Sequence, residues 1–134
     1  MQLSFRHLAL ASAALCFFLA ATWLVAPQLL LWMWGVPYTD SAGLVGRRGA
    51  ALFFGIACML VVARSSGPSQ GRLALAGGIA AGCLALAMLG LLELLRGRAG
   101  LGILPAVVVE IVLAWGFSWS ALGDRAVLRD ESNR

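Results

Sequence analysis

Among the charged residues in or beside the long apolar runs of this sequence, five are the ones whose types and spacing could do chemistry: Asp40, Arg47, Arg48, Glu93 and Glu110. Glu110, in ILPAVVVEIVLAW, is the most demanding of them. On a helix that starts at Leu101 it lies about 13 Å into the apolar run. A charged carboxylate near the middle of a membrane helix costs about 2.5–3.5 kcal/mol on insertion scales, so it faces the bundle, pairs, or takes up a proton. A guanidinium stays protonated in proteins and grips a carboxylate through two parallel hydrogen bonds. The stretch GLVGRRGAALFFG offers two such groups at the start of another apolar run.

Helical spacing separates the two arginines. Gly43, Arg47, Ala51 and Gly55 recur at steps of four and share one ridge of small residues, while Arg48 is turned by about 100° from it. The expectation is that Arg47 turns inward and holds Glu110 ionised, with Arg48 snorkelling to the headgroups. Ala106 and Ala114 stand four residues either side of Glu110, so a neighbouring helix can approach it closely. Gly78 and Gly82 form a GxxxG pair that, with Gly90, points Glu93 toward the same interior. The segment ELLRGR also permits a local pairing of Glu93 with Arg96 or Arg98. Asp40 belongs to the adjoining loop. Such a cluster is a structural bridge that sets helix register, an outward-facing pocket for a small polar ligand, a lipid headgroup or a proton, or a contact with a partner subunit.

Other chemistries find little support. No Ser-His-Asp set, HExxH or P-loop is present, so no catalytic residue is assigned and a membrane enzyme is the weakest of the readings. Cys16, Cys58 and Cys83 each lie inside an apolar run without CxxC spacing, which fits small buried residues better than a thiol cluster. With a single histidine, His7, neither a bis-histidine haem nor the usual zinc sets can be assembled, and no cofactor or metal is expected. The net charge of +4 comes from arginines scattered around apolar runs rather than a basic stripe, so nucleic acid is not expected as a partner.

The elements that must position these residues follow from composition. Of the 134 residues, 61% are hydrophobic and 12% charged, and the mean hydropathy is +0.91. Too few charges exist to cover a soluble domain of this size, so lipid is the expected solvent for most of the surface. Four runs reach or approach the roughly 20 residues needed to cross the hydrocarbon core: 8–31, 43–63, 73–95 and 101–122. They are continuous rather than alternating, which argues for helices over a barrel. The fold expected is an all-α, integral membrane four-helix bundle of one domain, antiparallel and up-down.

MQLSFRH and the following apolar run could form a signal peptide, but the run continues through Pro27 to Trp32 and Trp34 without a convincing cleavage site, so a retained first span, kinked at Pro27, is expected. With both termini inside, Arg6, Arg64, Arg72, Arg125, Arg129 and Arg134 lie on the cytoplasmic side, and Arg47, Arg48, Arg96 and Arg98 outside, a modest positive-inside bias. Trp32, Trp34 and Tyr38 near one interface and Trp115 and Trp119 near the other fit aromatic belts. The link ARSSGPSQGR reads as a topological turn, and residues 123–134 as a short charged cytoplasmic tail with a frayed helix end.

The stretch LLWMWGVP, then a basic residue and GAALFFGIACMLVVAR, resembles the small DoxX-like four-helix bacterial membrane proteins. Gly35, Val36 and Pro37, then Arg48, Gly49, Ala50 and Gly55, are the residues that match, and the resemblance covers about the first half of the chain. It implies a four-helix integral membrane protein and no specific chemistry. The expected function is that of a structural or accessory subunit of the bacterial inner (cytoplasmic) membrane. Its expected partners are the lipid bilayer and either another membrane protein or a second copy of the chain. The alternative is a binding or transport protein for a small molecule, lipid or proton that uses Arg47 and Glu110.

Overall fold

The computed structural model describes residues 5–132. The helices are α1 (Phe5–Val25), α2 (Pro27–Met33), α3 (Asp40–Ala63), α4 (Gln70–Leu95) and α5 (Leu104–Ser132), the last preceded by a 3-10 turn at Leu101–Ile103. No strand occurs among the described residues. Four helical stretches, Phe5–Val25, Asp40–Ala63, Gln70–Leu95 and Leu101–Asp130, are long and apolar enough to cross a membrane.

The ends of these helices follow from their residues. The first expected span is broken rather than kinked. Proline lacks an N–H, crowds the carbonyl four residues back and drives the preceding residue out of the α region. Ala26 accordingly takes φ −139°, and Pro27 opens α2 as its first residue. Ala26 still donates to the Thr22 carbonyl at 2.8 Å, so the chain turns without losing the end of α1. Thr39 caps α3 by accepting from the Ala42 N–H at 3.1 Å, and Ser69 caps α4 by accepting from the Arg72 N–H at 3.2 Å. Both helices therefore start three residues earlier than apolar content suggests, and Asp40 joins the first turn of α3 instead of a loop.

Two glycines close helices at the opposite end. Gly35 has φ +69° and Gly97 φ +68°, the left-handed conformation that a residue with a Cβ rarely adopts. Val36 donates to Leu31 at 2.8 Å and Gly35 to Trp32 at 3.0 Å; Arg98 donates to Glu93 at 2.9 Å and Gly97 to Leu94 at 3.0 Å. Each set is the paired closure that glycine permits after a helix.

The helices pack as two pairs. α1 lies along α3 and α4 along α5. Within the first pair Phe17 meets Phe54 edge to face at 5.6 Å, and the Trp23 ring lies over Gly46. Within the second, Gly90 faces Val107 and Ile103. The contacts run in opposite chain directions, so each pair is antiparallel.

The pairs are fastened to one another near both ends. At the end that carries the start of α1, Phe5, Ala9, Ala13, Leu60, Ala76, Ala80, Phe117 and Ala121 form one buried cluster drawn from all four long helices. At the other end the Gly100 N–H donates to the Trp34 carbonyl at 2.6 Å. Beside it, Gly102 sits against the Met33 carbonyl, with no room for a side chain.

That backbone contact generates a prediction. Gly102→Ala, whose methyl would run into main chain rather than a flexible side chain, is expected to destabilise the fold by about 1–3 kcal/mol. Gly55→Ala, which meets open space, is expected to leave stability unchanged or slightly raised. Unfolding of the purified variants in mixed detergent micelles measures both.

Candidate functional site

The inward row of each helix is set by steps that alternate between three and four. On α3 the buried residues are Gly43, Ala50, Ala57 and Leu60, with Gly46 under Trp23. A strict step of four drifts by about 40° per turn, so the ridge from Gly43 through Arg47 and Ala51 to Gly55 leaves the α1 interface after its first member. Gly43 is buried against the Tyr38 ring, Ala51 is exposed and Gly55 meets open space. The expectation for that ridge is corrected accordingly.

Arg47 and Arg48 are both exposed and form no hydrogen bond or ion pair among the described residues. Arg47 does not reach Glu110, since it belongs to α3 of one pair while Glu110 belongs to α5 of the other, and its position points out of the α1–α3 interface. Glu93 has closed locally: its carboxylate takes Arg96 at 3.2 Å and Arg98 at 3.7 Å. The glycine turn at Gly97 folds both arginines back over the end of α4. Asp40 stays exposed in the first turn of α3, where a negative charge suits the helix dipole. The five charged residues thus do not form one cluster.

Glu110 does face inward. On α5 the residues Val107, Glu110, Ala114, Phe117, Ala121 and Asp124 follow one another at steps of three and four, and all but Glu110 are buried, Glu110 being half-buried. Ala106 is half-buried beside this row. Cys83 of α4 is within electrostatic reach of Glu110 and of Cys16 on α1. Ser12, one turn from Cys16, is 1% exposed, and its hydroxyl has no hydrogen-bond partner among the described residues. Glu110 on α5 and Ser12 on α1 are thus polar groups at inward positions of helices whose other inward residues are mostly apolar. Glu110 has no hydrogen bond or ion pair there among the described residues. All three cysteines are free and half-buried, and among the described residues no group of three or more histidine, cysteine or acidic side chains is arranged to hold a metal ion.

The strongest polar interaction joins residues whose types promised less. Arg72, in the first turn of α4, grips Asp124 of α5 through both carboxylate oxygens, Nε to Oδ2 at 2.7 Å and Nη2 to Oδ1 at 2.6 Å. Its Nη1 donates to the Ser66 carbonyl at 2.8 Å, and its guanidinium lies 4.3 Å from the centre of the Phe5 ring. The Asp124 side chain is 4% exposed and that of Arg72 16%. Four segments are thereby tied by one side chain: α1 through Phe5, the link through Ser66, α4 and α5. Residues 123–132, expected as a frayed tail, continue α5 as helix, because Asp124 extends the inward row and its charge is neutralised where it lands. The signal was available in the pattern, since antiparallel neighbours bring the start of one span level with the end of the next.

The glycines of α4 divide the same way. Gly90 is buried under Val107, whereas Gly78 and Gly82 are exposed with open space where a side chain would be. The GxxxG pair therefore looks away from the bundle and does not direct Glu93 inward.

Comparison of the chain with protein-family models, curated proteins and solved structures finds no match.

Removing one partner of a buried ion pair strands the other, at a cost of about 3–5 kcal/mol, while replacing both with apolar groups is far milder. Arg72→Met and Asp124→Leu are each expected to lower stability by roughly that amount, and the double variant by clearly less than the sum. A double-mutant cycle on unfolding in detergent reads the coupling, and strict additivity would show that the two groups do not depend on each other.

Proposed function

We propose that this chain is a small multi-pass protein of a bacterial inner membrane, with both ends cytoplasmic, that serves as an accessory subunit bound to another membrane protein or to a second copy of itself. One observation carries the reading. The face of α4 directed away from α5 consists of Gly71, Ala74, Gly78, Ala81, Gly82 and Ala85, all exposed. A helix surface that meets lipid alone gains nothing from such residues, whereas small side chains let a second helix approach closely and gain packing contacts. The face runs over about 20 Å at 1.5 Å per residue, long enough for a full helix-helix contact.

The short connections between the four apolar stretches agree with an accessory role. The positive-inside bias and the DoxX-like resemblance support the membrane setting and add no chemistry.

The test uses the open face itself. Gly78→Leu and Gly82→Leu place side chains where nothing stands within 4 Å, so the monomer fold is expected to remain intact. Association, read as the mass of the complex purified in mild detergent, is expected to be lost. Wild-type protein that runs only as a monomer with no copurifying protein would count heavily against the proposal.

A second reading is favoured by Glu110, which lies on the inward row of α5 without an ion-pair partner among the described residues. A carboxylate so placed is the group a proton-linked carrier requires. In liposomes under an imposed pH gradient, Glu110→Gln is expected to reduce proton-linked flux at least about a hundredfold, the lower end for a missing proton-transfer group. Equal flux through the wild type and the variant would remove the basis of this reading.

A further inference from the structure

A groove of ≈ 680 Å³ opens between the start of α4 and the last turns of α5, at the Arg72–Asp124 end of the molecule. Its walls include Gln70 and Leu73 from α4 and Leu122, Arg125, Arg129 and Ser132 from α5. Arg125 and Arg129 are one helical turn apart and reach the same opening. They are its charged lining residues among the described residues.

The arginines have charge to spare. Asp124, the acid next to Arg125, gives both oxygens to Arg72. Arg125 and Arg129 themselves form no hydrogen bond or ion pair among the described residues. A second groove, at the opposite end around Leu29, Trp32 and Tyr38, is lined by no charged residue among those described. Two free guanidiniums over an apolar floor therefore distinguish the α4–α5 groove.

We infer that this groove binds a phospholipid with an anionic headgroup. Its phosphate sits between Arg125 and Arg129, and the planar guanidinium forks suit phosphate oxygens. An acyl chain runs down over Leu73 and Leu122 toward the apolar part of the spans. The Gln70 amide and the Ser132 hydroxyl stand at the polar edge of the groove, where a headgroup with hydroxyls, such as glycerol, finds partners. A free phosphate ion would use the arginines but leave the leucine floor bare, which is why the amphiphile fits better. Basic pockets at the cytoplasmic ends of membrane helices hold anionic headgroups by this combination.

The inference is independent of the accessory role and is tested with the full chain purified in a neutral detergent. Binding of phosphatidylglycerol and phosphatidylcholine is compared by native mass spectrometry and by lipid-dependent thermal shift. A clear preference for phosphatidylglycerol is expected, falling as ionic strength rises. Arg125→Gln and Arg129→Gln are each expected to weaken phosphatidylglycerol binding about fivefold, and the double variant roughly 30-fold, with phosphatidylcholine unaffected. The corresponding lysine variants are expected to keep most of the preference, because a point charge remains. Equal binding of the two lipids by wild-type protein would overturn the inference, as would a double variant that binds phosphatidylglycerol as the wild type does. Stabilisation by inorganic phosphate as strong as by the lipid would also overturn it, assigning the arginines to a free ion.

Discussion

The bond between Arg72 and Asp124 is the interaction on which the arrangement of the helices most depends. Helices as apolar as these gain little from burying surface against one another when their surroundings are equally apolar. Packing, hydrogen bonding and charge must then decide which faces meet. A two-point grip on a nearly inaccessible carboxylate, with a carbonyl from the link and the face of Phe5 on the same guanidinium, is directional in a way that leucine contacts are not. It fixes the rotation of α4 against α5 and brings α1 to the same place, where the eight-residue core of the bundle collects.

The far end is held by different means. There the Trp34–Gly100 hydrogen bond and the close passage of Gly102 past Met33 bring two connecting segments together through main chain. Glycine is required because the backbones touch, and the turns that present them depend on left-handed glycines at positions 35 and 97. Fastened near both ends, the two helix pairs leave between them a middle with few polar groups, where Glu110 stands on the inward row and Ser12 keeps an unanswered hydroxyl. The small-residue face of α4 and the arginines Arg47 and Arg48 are left on the outside, so the surface is richer in recognition features than the interior.

Much of the fold was legible from the order of residues. Four apolar runs at 8–31, 43–63, 73–95 and 101–122 mark the four long helices, because a helix satisfies its own backbone and its existence depends on local content. Their limits shifted where a cap or a proline acted: Thr39 and Ser69 moved two starts back, and Pro27 split the first run. The local closure of Glu93 by Arg96 and Arg98 was also within reach of the sequence, since all three stand close together in the segment ELLRGR around Gly97. The pairing of Arg47 with Glu110 was not found. A ridge of small residues counted in fours looked continuous, yet at 3.6 residues per turn it winds around the helix and away from α1.

By itself, then, the sequence determined that four long apolar helices form and about where they lie, and the ion pairs that close locally around Glu93. Only the tertiary structure decided that Arg72 takes Asp124, that Gly46 faces inward while Gly78 and Gly82 face outward, and that Glu110 has no cation beside it among the described residues. The reason is physical. Helix formation is settled by neighbours a few residues apart, whereas the meeting of two helices depends on how each is rotated about its axis. A rotation of 100°, the difference between adjacent residues, is enough to carry an arginine from the interior to the surface.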